Sequence, residues 1–356
     1  MHTDFLIIGA GVVGLSTALE CARRGASVTV LDKGIAGQES TWSGAGILSP
    51  LLPWHYADPV NVLANYSRGL YAAWCADLQS ASGIDPEYRT SGMLVLPPWE
   101  VADANVWCDR HGWRREIRES RDFLPSFQAT EGLWLPEVAQ ARNPRLIKAL
   151  KGASLAAGVR IIENAPVAAM DADQDRITGV HAAGTAYGAD HIVLATGAWT
   201  GWLPGLEAFQ ARIYPVRGQI LLFMLPVGSL ETIVYRNGQY LVPRADGHVL
   251  AGSTLETAGF DKSTTAQAKR DIMDFTIDLL PEVREVDVVM QWSGLRPGSP
   301  DNVPCIGRHP AYANLYLNAG HYRYGVTMAP GSARLLADLM FGEPTAIDPA
   351  PFRVPE

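Results

Sequence analysis

The sequence predicts an α/β protein in which a parallel nucleotide-binding sheet is combined with a region of antiparallel strands. Three observations predict it: a glycine-rich strand–turn–helix–strand unit at residues 4–34, a buried return strand that runs into Ala195-Thr196-Gly197, and hairpin signals at Asn237-Gly238 and Asp246-Gly247. The 356 residues suffice to bury a sizeable core and suggest two domains.

The first element is the continuous apolar run Phe5-Leu6-Ile7-Ile8, as expected for a strand covered by helices on both faces. Gly9, Gly11 and Gly14 then supply GxGxxG where strand becomes helix. Gly9 permits the turn, Gly11 lets backbone approach a pyrophosphate, and Gly14 allows the helix to pack closely on the strand. Free N–H groups and the helix dipole would face the phosphates. A glycine turn alone is weak evidence, but Ala18, Leu19, Gly25, Val28 and Val30 also fall in register. Asp32 ends the second strand, where its carboxylate can accept hydrogen bonds from a ribose hydroxyl pair and would repel a 2′-phosphate.

Residues 34–50 form a loop of small and hydroxylated side chains that lets a bulky planar ring lie close. Asn143-Pro144 resembles an N-cap and first-turn pair opening a helix. A β-meander is expected at 159–187 before the return strand. The segments 214–225, 231–244 and 247–255 alternate as strands joined by turns. Residues 263–280 form a helix with Ile272, Phe275, Leu279 and Leu280 along its apolar stripe. A last helix carries Leu335, Leu336, Leu339 and Met340 on one side, and Pro330 is tolerable there only in the first turn.

Arg296 stands in "QWSGLRPGSPDNVPCIG", expected to be a loop after a strand over 285–292, with Pro297 limiting its backbone. Residue type alone leaves open whether it anchors a ligand, closes a salt bridge or faces solvent.

Composition narrows the classes. With 47% apolar and 19% charged residues the chain is an ordinary globular protein, and 29 basic against 37 acidic residues (net charge −8) disfavour a nucleic-acid partner. Cysteines 21, 75, 108 and 305 lack the spacing of a metal site or a disulfide framework, and the histidines suggest no metal ligation. No targeting segment or membrane span is evident, so a cytoplasmic location is expected.

The glycine motif, the loop Ser40-Thr41-Trp42-Ser43-Gly44-Ala45-Gly46, the turn "ATGAW", "SGLRP" and "NAGHYRYGVTMAP" together resemble the D-amino acid oxidase family of FAD enzymes, most closely its glycine oxidase branch tied to thiamine synthesis. The resemblance covers nearly the whole chain. It implies a Rossmann-like FAD-binding domain (1–84, 139–207 and 291–356) interleaved with an α+β substrate-binding domain on an antiparallel sheet (85–138 and 208–290). It implies noncovalent FAD and oxidation of glycine or a small N-substituted or D-amino acid to an imine. Dioxygen would be the acceptor, or alternatively a quinone or carrier protein; homo-oligomers are possible.

Residue by residue, the resemblance makes Arg296 the anchor of a substrate carboxylate, helped by Tyr240, with Arg323 close to substrate and cofactor. Cofactor contacts would come from Gly9, Gly11, Val12, Val13, Gly14, Asp32, Lys33, Ser40, Thr41, Ala45, Gly46, Ile47 and Leu48. Further contacts are expected from Val167, Ala195, Thr196, Gly197, Trp199, Arg323, Tyr324, Gly325, Val326 and Thr327. Two departures affect the pocket: Gly238 and Tyr324 stand where that branch carries histidine and asparagine. His321 is expected to be a backbone-bonded loop residue rather than a general base.

Overall fold

A computed structural model describes residues 2–203, 206–207, 209 and 212–355. The expected crossing between 207 and 208 therefore ends on a residue outside those described, as do the outer bounds 1 and 356. Two eight-stranded sheets organise the chain.

The first sheet centres on the strand His2–Ile8, paired in parallel with Val28–Leu31 and with Thr185–Leu194. Arg160–Ile162 extends it in parallel on one side, and Leu315–Ala319 on the other. Successive side chains of the central strand point to opposite faces. Phe5 and Ile7 join a core built with the helices Val12–Arg23, Asp58–Ser82, Asn143–Ala156 and Gly325–Phe341. Leu6 and Ile8 join a core under the antiparallel meander Val167–Asp173, Arg176–Ala182 and Thr185–Leu194. The expected meander is thus present, except that Arg160–Ile162 belongs to the parallel sheet.

The second sheet is mostly antiparallel and runs from Met290–Gly298 through Tyr214–Met224, His248–Gly252, Gln239–Pro243 and Ile233–Arg236. Asn237 and Gly238 both take positive φ, 50° and 83°, as a two-residue hairpin requires. The helix Ala266–Leu279 covers one face through Ile272 and Leu279, and its Thr265 cap accepts from the Ala268 N–H. The opposite face carries Ile220 and Tyr240 towards the first sheet's loops.

Three expectations are corrected. Arg296 lies inside a strand, opposite Val216, because Met290–Gly298 is the edge of its sheet and an edge strand tolerates Pro297. Asn143 is the first helical residue rather than the cap, and its amide donates to the Thr41 carbonyl at 2.7 Å. Pro330 sits beyond the first turn of Gly325–Phe341. The Val326 carbonyl that it leaves without a helical donor accepts from the Tyr71 hydroxyl on the neighbouring helix instead. Among the described residues no helix is long and apolar enough to cross a membrane.

Candidate active site

Backbone contacts explain the opening glycines. Gly9 has φ +108°, and a Cβ there would lie 2.3 Å from the Ala195 carbonyl oxygen; a Cβ on Gly14 would lie 1.9 Å from the Gly9 oxygen. Turn, helix and return strand are therefore packed backbone on backbone. At Gly11 a Cβ would meet only Thr41 Oγ1, at 3.4 Å, so the protein itself does not demand glycine there. Gly11, Val12 and Val13 instead face a cavity at the helix N-terminus, where first-turn N–H groups have no helical acceptors. Thr41 Oγ1 accepts one of these, from Val12, at 3.0 Å.

Asp32 accepts the Ala10 and Gly34 N–H groups at 2.7 and 2.9 Å, which fixes its carboxylate at the wall of a second cavity of about 110 Å³. A carboxylate has about four acceptor positions, so two remain for ribose hydroxyls. Lys33 lies 3.4 Å from the Trp199 ring centroid and 3.2 Å from Glu39. These three side chains wall that cavity with Gly9, Val167, Thr196 and Gly197. Gly11, Ser40, Thr41, Ala195 and Gly197 line both cavities and join them into one cleft. Because the protein leaves room for a Cβ there, Gly11→Ala should keep the unfolding midpoint while narrowing the cavity mouth, which should weaken any dinucleotide held there at least about tenfold, read by ligand titration.

The larger cavity, about 150 Å³, lies between the two sheets. Ala45, Gly46 and Ile47 form one wall. Gly46 has φ +75°, and a Cβ there would strike the Ala141 carbonyl oxygen at 1.9 Å. Arg323, Tyr324, Gly325 and Val326 form another wall at the N-terminus of the last helix. Tyr324 is buried, packs edge-on against Tyr56 with ring centroids 5.0 Å apart, and its hydroxyl accepts from the Leu51 N–H at 3.4 Å. The larger tyrosine thus ties the loop at 51–56 to this wall. Leu48 and Thr327 do not line either cavity: Leu48 is in the core, and Thr327 donates to the Ile47 carbonyl at 3.0 Å. Gly14 also lies behind the wall rather than on it.

Arg296, Tyr240 and Arg323 converge on this cavity. The Arg296 guanidinium donates to Ser253 Oγ at 2.7 Å and to the Thr254 and Arg217 carbonyls at 3.2 and 3.4 Å. All three acceptors are neutral. Burial lowers its pKa, Tyr240 counteracts, and Arg323 repels. Arg323 has no hydrogen bond or ion pair to another described residue; burial works against its charge, yet Tyr324, Tyr56, Tyr240 and Tyr322 together raise its pKa. Among the described residues no carboxylate side chain lines the cavity. Two cations therefore face one space without a protein anion.

His321 lines the cavity too, fully buried, and desolvation pushes its pKa down to about 3. The imidazole is neutral at physiological pH, and its Nε2 has no hydrogen-bond partner. Sequence reasoning missed Gly218 and Ser253. A Cβ on Gly218 would lie 2.2 Å from both terminal nitrogens of Arg296, so the guanidinium rests flat on bare backbone. No local signal marks either residue, because the strand partner that makes them matter is about 80 positions away for Gly218. Asn143 was read only as a cap, yet its unpartnered Oδ1 is buried and it lines the cavity.

A family model described as FAD dependent oxidoreductase matches residues 4–339. The glycine oxidase of Pseudomonas putida is 39% identical over 358 residues, covering 99% of this chain and 98% of that protein. That of Pseudomonas aeruginosa is 40% identical over 359 residues with the same coverage. The crystal structure of glycine oxidase from Geobacillus kaustophilus superposes with a TM-score of 0.92 at 29% identity, covering 99% of this chain and 98% of that one.

Proposed function

Since this chain belongs to the FAD dependent oxidoreductase (DAO) family, we propose that it oxidises glycine or a small N-substituted or D-amino acid, with dioxygen as electron acceptor. The carrying observation is the pair of arginines without a protein anion, facing the cavity that adjoins the glycine cradle. FAD, when bound, supplies the ring that accepts a hydride from the substrate α-carbon. Gly9, Gly11, Val12, Val13 and Asp32 would hold its dinucleotide end, and Ala45, Gly46, Ile47 and residues 324–326 would border the ring. No cysteine lines either cavity, in keeping with noncovalent binding.

Arg296 binds the substrate carboxylate through two parallel donors, Tyr240 completes that seat, and Arg323 adds positive charge beside the ring. The seat places the α-carbon over the ring while the enclosing tyrosines exclude water. The imine product then hydrolyses to a keto acid and an amine, and reoxidation by dioxygen yields hydrogen peroxide. We also assign residues 1–84, 139–207 and 291–356 to the FAD-binding domain and 85–138 and 208–290 to the substrate-binding domain, with most of the strand Met290–Gly298 contributed by the former to the latter's sheet.

Among the described residues no carboxylate lines the cavity, and burial leaves His321 too weak a proton acceptor to serve as general base, so the amine reacts in its neutral form. The apparent rate constant for flavin reduction at subsaturating substrate should then rise about tenfold per pH unit while the amine is mostly protonated. Anaerobic mixing with glycine, sarcosine, D-alanine and D-proline, followed by flavin absorbance, tests the reading. Bleaching by at least one, and one peroxide per substrate oxidised in air, is expected. Flavin that no amine bleaches would overturn it, and bleaching without peroxide would replace dioxygen with another acceptor.

A further inference from the structure

Directly after the strand Gln239–Pro243 comes Arg244, only 6% exposed and outside the walls of both cavities. Its Nη2 donates to the Ala45 carbonyl at 2.7 Å, and its Nη1 donates to Gln140 Oε1 at 2.7 Å and to the Ala141 carbonyl at 3.2 Å. The Nε has no partner. The nearby acids are committed elsewhere: Arg142 takes Glu87 at 3.3 Å and Asp246 at 2.7 Å, and Arg145 takes Glu87 at 3.1 Å. Arg244 has no ion pair among the described residues. Burial, with Arg142 and Arg89 adding repulsion, pushes its pKa down to about 9, which leaves it charged at neutral pH.

An unpaired buried cation is expensive to keep, and the three neutral oxygens that hold this one all belong to the segments behind the cavity wall. The Ala141 N–H donates to the Gly46 carbonyl at 2.9 Å, and Ile47 bridges Gln140. A trans peptide points its carbonyl and its N–H in opposite directions. With the Ala45 oxygen turned back to Arg244, the Gly46 N–H is turned to the cavity side, where it gives no hydrogen bond to another described residue.

We propose that Arg244 is a positioning residue: it turns the Ala45–Gly46 peptide so that the Gly46 N–H faces the ring site, and it leaves a fixed positive charge behind that wall which favours the reduced, electron-rich cofactor. This rests on the reading that FAD lies in the cleft. The test measures binding of oxidised FAD and the midpoint potential of bound FAD in the wild type, Arg244→Gln, Arg244→Met and Arg244→Lys. Measurements are made at pH 6, which favours the protonated form of a lysine whose pKa burial lowers.

Gln and Met should weaken reduced FAD at least tenfold more than oxidised FAD, a shift of about 30 mV to more negative potential for a two-electron couple. Lys should restore most of that shift. If Met does not fold, Gln carries the test, since it removes the charge while keeping a polar amide in the site. A folded Gln variant with the wild-type potential, or a Lys variant shifted as far as Gln, overturns the proposal. A wild-type protein that binds no FAD would instead sink the reading of the site itself.

Discussion

Replacing Arg296 with methionine should lower kcat/KM for the preferred amino acid by roughly 30- to 5,000-fold, equivalent to about 2–5 kcal/mol for truncating one partner of a buried charge pair. The guanidinium is already held by Ser253 Oγ and two carbonyls, so its position does not depend on the substrate, while its charge has no protein counterpart. Burial lowers its pKa, and an arriving carboxylate supplies the missing anion. Lysine should recover little of the loss, because a single ammonium cannot present two parallel donors. Gly218→Ala should give part of the same defect with Arg296 still present, since the new methyl would overlap the guanidinium at 2.2 Å. Steady-state kinetics with a folded Arg296→Met variant that retained wild-type kcat/KM would remove Arg296 from the carboxylate seat.

Gly14→Ala should yield a colourless protein. Its Cβ would sit 1.9 Å from the Gly9 carbonyl oxygen and 3.2 Å from the Ala195 Cβ. The first of these is backbone, which cannot swing aside as a flexible side chain would. The helix Val12–Arg23 would have to lift from the turn, and its first-turn N–H groups would move with it. Overpacking of this kind costs about 1–3 kcal/mol in ordinary cores, and here the strain falls on the cradle itself. The ratio of flavin to protein absorbance after purification, and FAD titration of the apoprotein, measure the result. A yellow Gly14→Ala protein with wild-type FAD affinity would refute close helix-on-turn packing as the reason for this glycine.

The boundary between what was legible and what was not follows the range of the interactions. GxGxxG, Asn237-Gly238 and the apolar run at 5–8 are local signals, because backbone conformation and side-chain periodicity are set within a few residues. Arg296 was expected in a loop because glycine and proline crowd its neighbourhood, and pairing with Tyr214–Met224 made it a strand. Pro330 was expected in the first turn, yet the hydroxyl of Tyr71, more than 250 positions away, takes up the carbonyl it frees. Arg244 carried no signal in "LVPR", since its three oxygen partners come from two distant segments.

By itself the sequence determined a dinucleotide cradle and a hairpin-rich second region through conformational preferences of neighbouring residues, and its family resemblance supplied a shortlist of cationic and aromatic residues. Only the tertiary structure decided that Arg296, Tyr240 and Arg323 share one cavity without a carboxylate, that Gly218 is the floor under a guanidinium, and that Arg244 is buried uncompensated behind Ala45. Charge, burial and close approach are properties of space shared by distant segments, and they come into being when the two sheets meet.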